Sequence, residues 1–303
     1  MKIVYFGTSD FAVPALEKLA KDVVLVITQP DRPSGRGMKL KASPVKLKAI
    51  ELGLPVETPE KARDPEFVQK IQELEADVHV VAAYGQILST KLLETATRGG
   101  INLHGSILPD YRGAAPIQRA IMDGKTETGV TLMQMDKGMD TGDIIDIVRT
   151  PIDPNETYGE LHARLAQLAA TQIEEWIERI AHGNYPRQVQ DHDTATYASK
   201  ITAEERELRF DAPATVEYNR LRGLSPSPGA FFQTDLGRIK IIESRPSNQD
   251  GIGVFEHEGH CHLGFQVGSL VLKQVQPEGR KPMSGSDWLR GAVSGVIAIV
   301  KPS

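Results

Sequence analysis

One cysteine among 303 residues, Cys261, excludes an intramolecular disulfide and, with it, the small disulfide-stapled folds of secreted modules. A reducing compartment, the cytoplasm, is the expectation. Long apolar runs are missing too: Val23 to Ile27 is the longest near the start, far short of the ~18 residues that a membrane-spanning helix needs. Met1-Lys2 lead straight into a strand-like segment, so neither a span nor a cleavable leader is expected. Glycine (27) and proline (19) are too few for a collagen-like or low-complexity chain. There is no internal repeat. A general excess of positive charge is absent, and the formal net charge of −5 argues against a uniformly basic nucleic-acid binder. What remains is an ordinary globular composition, 40% hydrophobic and 25% charged, long enough for about two domains.

The average charge conceals one local asymmetry. Residues 31 to 48 hold Arg32, Arg36, Lys39, Lys41, Lys46 and Lys48 against the lone acid Asp31, so this segment is +5 and the remainder −10. A polyanionic partner is expected to touch this segment first.

Lys2 to Phe6 is a β-branched and aromatic run closed by Gly7, and Phe11, Ala15, Leu16 and Leu19 follow at helical spacing. Further apolar runs at Val23 to Thr28, Asp77 to Ala83 and Ile101 to Leu103 alternate with helical stretches near 44–52, 64–74, 86–95 and 114–123. Alternation of this kind predicts a mostly parallel sheet covered on both faces. Strands at Gly129 to Met135 and Ile144 to Arg149 follow. A capping box, Thr157-Tyr-Gly-Glu160, then opens a long helix that closes at His182-Gly183. Residues 184–207 are polar and aperiodic, the signature of a linker, which divides the chain into a domain over 1–183 and another over 208–303. In the second, a short helix near 215–221 precedes strands near 230–234, 238–244, 253–256 and 269–275, a helical patch at 286–290 and a last strand near 295–300. Short strands with Gly and Pro turns fit a small β-barrel of the OB type.

A dinucleotide fingerprint fails after the first strand, because Ser9 and Ala12 stand where glycines are required. The sharper signal is Ile101-Asn-Leu-His104-Gly-Ser-Ile-Leu-Pro109 at the end of a predicted parallel strand. Period-two alternation puts Asn102 and His104 on one face, and the carboxyl ends of such strands border the ligand crevice. An amide donor and an imidazole pointing together can stabilise an oxyanion, as acyl transfer requires; a buried histidine satisfied by its asparagine neighbour is the plain alternative. A second polar concentration, Met135-Asp136-Lys-Gly138-Met-Asp140-Thr-Gly142-Asp143, reads as a backbone-recognition loop with one catalytic acid or as solvated turn acids. EF-hand spacing is absent, so a metal loop is weakly supported. His257, His260, Cys261 and His262 look superficially like a metal cluster, but an extended backbone opposes Cys261 to its neighbours, and a solvated strand face is expected instead.

Taken together, the strand-end Asn102-x-His104-Gly-Ser-x-Leu-Pro109, the string Gly129-Val-Thr-x-Met-Gln-Met-Asp-x-Gly-x-Asp140-x-Gly142 and Arg112-Gly-Ala-Ala-Pro-Ile-Gln118 resemble the folate-dependent formyltransferase family over nearly the whole chain. The resemblance implies an enzyme with a Rossmann-like, mostly parallel N-terminal domain and a smaller OB-like β-barrel that binds tRNA. The co-substrate implied is 10-formyltetrahydrofolate, without a metal. Asn102, His104 and Asp140 match the catalytic positions. Folate contacts would come from Ala82, Ala83, Tyr84, Gly85, Gln86, Ile87 and Leu88, from Ser106, Leu108 and Pro109, and from Met139, Asp140, Thr141 and Gly142. The basic segment, with Gln29-Pro-Asp-Arg-Pro-x-Gly35-Arg-Gly37 and Ser43-Pro-Val-Lys46, resembles the branch whose formyl acceptor is the α-amino group of initiator methionyl-tRNA. Arg32, Arg36, Lys39, Lys41 and Lys46 would then meet RNA. A monomer is expected. Formyl transfer to another amine, such as a sugar nucleotide, and a non-catalytic RNA-binding module are the rivals.

Overall fold

The computed structural model describes residues 1–34, 39–251, 253–291 and 299–300. The chain divides into two compact units, one of Met1–Gly113, Thr128–Thr150 and His162–Tyr197, the other of Ala114–Glu127, Pro151–Leu161 and Ala198–Ser303.

In chain order the structure runs β1 (Ile3–Gly7), α1 (Val13–Leu19), β2 (Val23–Ile27), β3 (Arg32–Ser34), β4 (Lys39–Lys41), α2 (Pro44–Glu51), β5 (Val56–Glu57), α3 (Pro65–Gln72), β6 (Val78–Ala82), α4 (Thr90–Leu93), β7 (Gly100–His104) and β8 (Arg112–Gly113). Then come α5 (Pro116–Met122), β9 (Glu127–Gln134), β10 (Ile144–Pro151), α6 (Tyr158–Ala181) and β11 (Tyr197–Ala198). The first unit is built on a seven-stranded sheet ordered β10-β9-β7-β6-β1-β2-β5. All five residues of β1 and of β6 are buried, as strands covered on both faces require. Each large apolar side chain so buried contributes roughly 1.5–3 kcal/mol by leaving water. Pairing is parallel from β5 to β7, as expected, and turns antiparallel where β9 lies against β7. Gly129 allows that edge to close: a Cβ there would sit 2.3 Å from the Val148 carbonyl oxygen.

The chain leaves β1 for β2 on one side of the sheet and later returns to place β6 on the other. That order makes the carboxyl ends of β1 and β6 a topological switch point, where open α/β sheets bind ligands. The capping box forms as read: Glu160 Oε2 accepts from the Thr157 N–H at 2.8 Å, and Thr157 Oγ1 accepts from the Glu160 N–H at 3.4 Å. Expected helix 86–95 contracts to Thr90–Leu93, capped by Ser89, because Tyr84 to Leu88 are a loop. Part of the basic segment forms an unforeseen hairpin, with Arg32 opposite Lys41 and Ser34 opposite Lys39.

On β6 itself, His79 is fully buried against Phe6 of β1, with ring centroids 5.3 Å apart. The Thr95 hydroxyl donates to the Leu92 carbonyl at 2.7 Å, so at 3.3 Å it accepts from His79 Nε2 and leaves Nδ1 as an unpartnered lone pair. Burial lowers the His79 pKa to about 4. The unfolded chain therefore binds this proton more tightly, and the stability the neutral ring supports is complete above about pH 6.5 and lost as pH falls toward 4. Denaturant titrations of the protein and of His79→Leu should differ in their pH slope by about 3 kcal/mol over that window. Equal slopes would assign the acid sensitivity elsewhere.

In the second unit, α7 (Ala214–Leu224) and α8 (Gly285–Gly291) accompany an antiparallel sheet of β12 (Phe231–Thr234), β13 (Gly237–Ser247), β14 (Gly253–His257), β15 (His260–Gly264), β16 (Ser269–Pro277), β17 (Met283–Ser284) and β18 (Ile299–Val300). Register irregularities in β13 between Ile241 and Ser244 are the bulges that curl such a sheet around a core, here Leu221, Leu224, Phe232, Ile241, Leu263, Leu270 and Trp288. The small β-domain agrees with the sequence reading. The expected solvated histidine face does not: of the three histidines only His260 is exposed, whereas His262 is buried, because Phe255, its cross-strand partner on β14, stacks over its ring at 5.1 Å. Residues 292–298 of the expected last strand lie outside the described residues. Among those described, no helix is long and apolar enough to cross a membrane, and no group of three or more His, Cys, Asp or Glu is arranged to hold a metal ion.

Candidate active site

Asn102 and His104 emerge from one face of β7 at its carboxyl end, Asn102 half-buried and His104 buried. His104 Nε2 lies 2.9 Å from the Tyr111 carbonyl oxygen. A carbonyl only accepts, so Nε2 carries a proton and Nδ1 is the nitrogen whose protonation can change. Nδ1 stands 3.6 Å from Asp140 Oδ2. That separation is longer than a hydrogen bond and leaves the two groups facing each other without a direct bond.

Asp140 reaches this pair from the loop between β9 and β10, 38 positions beyond Asn102. Its Oδ2 accepts from the Gly113 N–H at 2.9 Å, and Oδ1 lies 3.4 Å from Asn102 Nδ2. Three of the five non-glycine residues described with a left-handed backbone, Ala83 (φ 44°), Tyr111 (φ 61°) and Asp140 (φ 55°), sit in the loops of this site. Conformations that cost a side-chain-bearing residue energy gather where geometry matters more than comfort.

The loop around Asp140 is closely built. Asp136 Oδ1 accepts from the Gly138 N–H at 2.9 Å and from the Thr141 hydroxyl at 2.8 Å. A Cβ on Gly142 would fall 1.9 Å from the Gln134 carbonyl oxygen, so only glycine passes there. At the switch point, the Tyr84 carbonyl accepts from Thr8 Oγ1 at 2.7 Å and from Gln29 Nε2 at 2.9 Å, tying the ends of β1, β2 and β6 together. Ala83, Gly85 and Ile87 face solvent while Tyr84 and Leu88 turn inward. Gln86 is spent on structure: its Oε1 accepts from the Ala62 N–H and its Nε2 donates to the Pro59 carbonyl.

Other expected positions divide in the same way. Ser106 and Leu108 are buried beneath the site loop, and the Ser106 hydroxyl donates to the Asp110 carbonyl at 2.6 Å; Pro109 is half-buried. Large exposed apolar side chains stand on both proposed folate loops, Ile87 at 82% and Met139 at 63% exposure, and offer faces for a flat aromatic ligand. In the basic segment, Arg32 and Lys41 are exposed, Lys46 Nζ is 2.8 Å from both Asp31 oxygens, and Arg36 lies outside the described residues. Sequence reasoning missed Gln190. Buried within the segment read as a linker, it bonds to the Asp140 and Gly142 carbonyls and to Arg112.

A strand-end amide and imidazole thus meet a loop carboxylate at the carboxyl end of β7, one strand from the switch point, an arrangement with the donors and acceptors that group transfer between polar partners requires. The chain belongs to the formyl transferase family: residues 1–177 match the formyl transferase model and residues 200–293 that of its C-terminal domain. Among its relatives are the methionyl-tRNA formyltransferases of Sorangium cellulosum, 43% identical over 300 residues, and of Moorella thermoacetica, 44% identical over 300 residues. In both cases the match covers 96% of this chain and 96% of the relative. Similar folds occur in the sugar 3N-formyl transferase WlaRD (TM-score 0.68, 22% identity, covering 93% of this chain and 99% of that one). An N-formyltransferase from Helicobacter canadensis has a TM-score of 0.64 at 22% identity, with 90% and 98% covered.

Proposed function

We propose that this protein transfers the formyl group of 10-formyltetrahydrofolate to the α-amino group of methionyl initiator tRNA, as a monomer in the cytoplasm. The observation that carries the chemistry is the convergence of Asn102, His104 and Asp140 at the carboxyl end of β7. The choice of acceptor is supported by the full-length similarity to methionyl-tRNA formyltransferases, since the sugar-acting neighbours share the fold at only 22% identity.

As the amine nitrogen adds to the formyl carbon, negative charge grows on the formyl oxygen. Asn102 Nδ2 and a proton on His104 Nδ1 are the donors available to it. The Asp140 carboxylate, 3.6 Å from that nitrogen, orients the ring, and through water it can accept the amine's proton and return one to the departing N10. Ala82 to Leu88 and Met139 to Gly142 would cradle the folate, largely through backbone groups. We assign catalysis to residues 1–183, the connection to 184–207 and a second RNA surface to 208–303.

Incubation with 10-formyltetrahydrofolate and, separately, methionyl-tRNA, free methionine or an amino-sugar nucleotide tests the proposal. Formylated product is expected from methionyl-tRNA alone; product from the sugar instead, or none at all, would favour one of the rivals. Arg36 carries the finer expectation. Arg36→Ala should lower kcat/KM for methionyl-tRNA by ~1–3 kcal/mol through lost charge-assisted contacts, and leave folate binding unchanged. Its dependence on salt should be shallower than the wild type's by about one phosphate contact. Equal losses toward both substrates would remove this segment from the RNA interface.

A further inference from the structure

We propose that Gln190, backed by Arg112, is a positioning residue of the active site: its side-chain amide holds the Asp140 loop in the turn that brings the carboxylate to Asn102 and His104. The inference rests on the catalytic reading of Asp140 given above and adds to it the device that places that residue.

From 183 to 189 and from 191 to 196 the chain is exposed or half-buried, and Gln190 is the one buried residue in that stretch, at 3% exposure. Its neighbour Val189 is 71% exposed. Hydrophobicity alone would turn valine inward and glutamine outward. The inversion means that the backbone path is set by what the glutamine binds.

All of its hydrogen-bonding capacity is used. Nε2 donates to the Asp140 carbonyl at 2.9 Å and to the Gly142 carbonyl at 2.7 Å, while Oε1 accepts from Arg112 Nε at 3.1 Å and Nη2 at 2.7 Å. The carbonyls only accept and the guanidinium only donates, so the amide's orientation follows from chemistry. The guanidinium, itself buried, polarises the amide and makes its N–H groups stronger donors.

The turn they hold is a tight one. Asp140 sits at φ 55°, a left-handed conformation that costs a residue with a Cβ some energy, less for aspartate than for most, and that contacts on both sides of the turn stabilise. Gln190 pins the carbonyl on one side, and the Gly113 N–H pins the carboxylate on the other. Both restraints trace to the two residues of β8, Arg112 through its side chain and Gly113 through its backbone. The stretch 188–196 that carries Gln190 is fastened at its two ends, where Gln188 and Ile144 exchange backbone bonds of 2.8 and 2.9 Å, and Arg112 N donates to the Thr196 carbonyl at 2.9 Å.

The test uses full-length protein, with Gln190→Leu and Gln190→Glu made alone and in an Asp140→Asn background. Gln190→Glu retains acceptors for Arg112 but turns carboxylate oxygens toward the Asp140 and Gly142 carbonyls, so it carries the test if Gln190→Leu fails to fold. Each single variant should lower kcat ~10- to 100-fold with KM for methionyl-tRNA within about twofold of wild type. In the Asp140→Asn background the same changes should cost less than about a further twofold, because a residue acting through Asp140 has nothing left to position. Unchanged kcat in a folded Gln190 variant, or losses that multiply with that of Asp140→Asn, would overturn the inference while leaving the catalytic reading intact. Wild-type turnover in Asp140→Asn alone would overturn both.

Discussion

His104→Ala and Asp140→Asn should each lower turnover at least ~100-fold while the protein stays folded, the scale of losing one oxyanion or acid–base group. The physical case lies in how their hydrogen bonds are divided. His104 commits Nε2 to the Tyr111 carbonyl, leaving Nδ1 as the nitrogen that faces Asp140 and the crevice. Alanine removes this nitrogen altogether. Asparagine at 140 still offers the Gly113 N–H an acceptor, so the loop keeps that contact, but it can neither stabilise an imidazolium nor take a proton. Single-turnover assays at saturating folate and methionyl-tRNA separate chemistry from binding, and thermal melts check the fold. Variants that melt like the wild type and turn over normally would make both residues structural.

Gly142→Ala is expected to cripple the site through space rather than through backbone freedom. Gly142 is not among the residues with positive φ, so alanine's backbone preferences are not the obstacle. The obstacle is the Gln134 carbonyl oxygen, 1.9 Å from where the Cβ would be, with Asp136 N at 3.4 Å. Backbone cannot swing aside as a flexible side chain can, and the loop must lift away from β9. Overpacking of this kind costs ~1–3 kcal/mol, and a displacement of about 1 Å at the reacting groups can cost ~100-fold in rate. A melting temperature lower by several degrees, together with a fall in kcat comparable to that of Asp140→Asn, is the expected result. Gly53→Ala supplies the contrast, since no atom lies within 4 Å of its Cβ position and φ is +69°; it should cost about 1 kcal/mol of stability and leave kcat unchanged. Wild-type kcat in Gly142→Ala would show that the loop tolerates displacement and that Asp140 is not held to the tolerance argued above.

Much of the architecture was legible because it follows from local periodicity. Apolar runs such as Ile3 to Phe6 and Val23 to Ile27 are best satisfied between two covering layers, and the reciprocal bonds of Thr157 and Glu160 are written into their spacing. The pairing of Asn102 with His104 was equally local, because residues two apart on a strand share a face. The shortened helix after Leu88 escaped the same reasoning. Its apolar residues fit a helical period, yet the chain uses Gly85 at φ 83° and an exposed Ile87 to shape a loop at the switch point.

The amino-acid sequence alone thus determined the layers, the capped start of the long helix at Thr157, the strand that carries the amide and imidazole, and the concentration of positive charge between residues 31 and 48. Which polar groups meet was decided by the folded chain. Asp140 joins Asn102 across 38 positions, Gln190 reaches Arg112 across 78, and His262 is buried where its neighbours suggested solvent. Hydrophobic periodicity reports the side of an element that leaves water, because that tendency is a property of each residue by itself. A buried carboxylate, amide or imidazole is stable only beside partners that replace its lost water, and those partners come from segments that only the complete fold brings together.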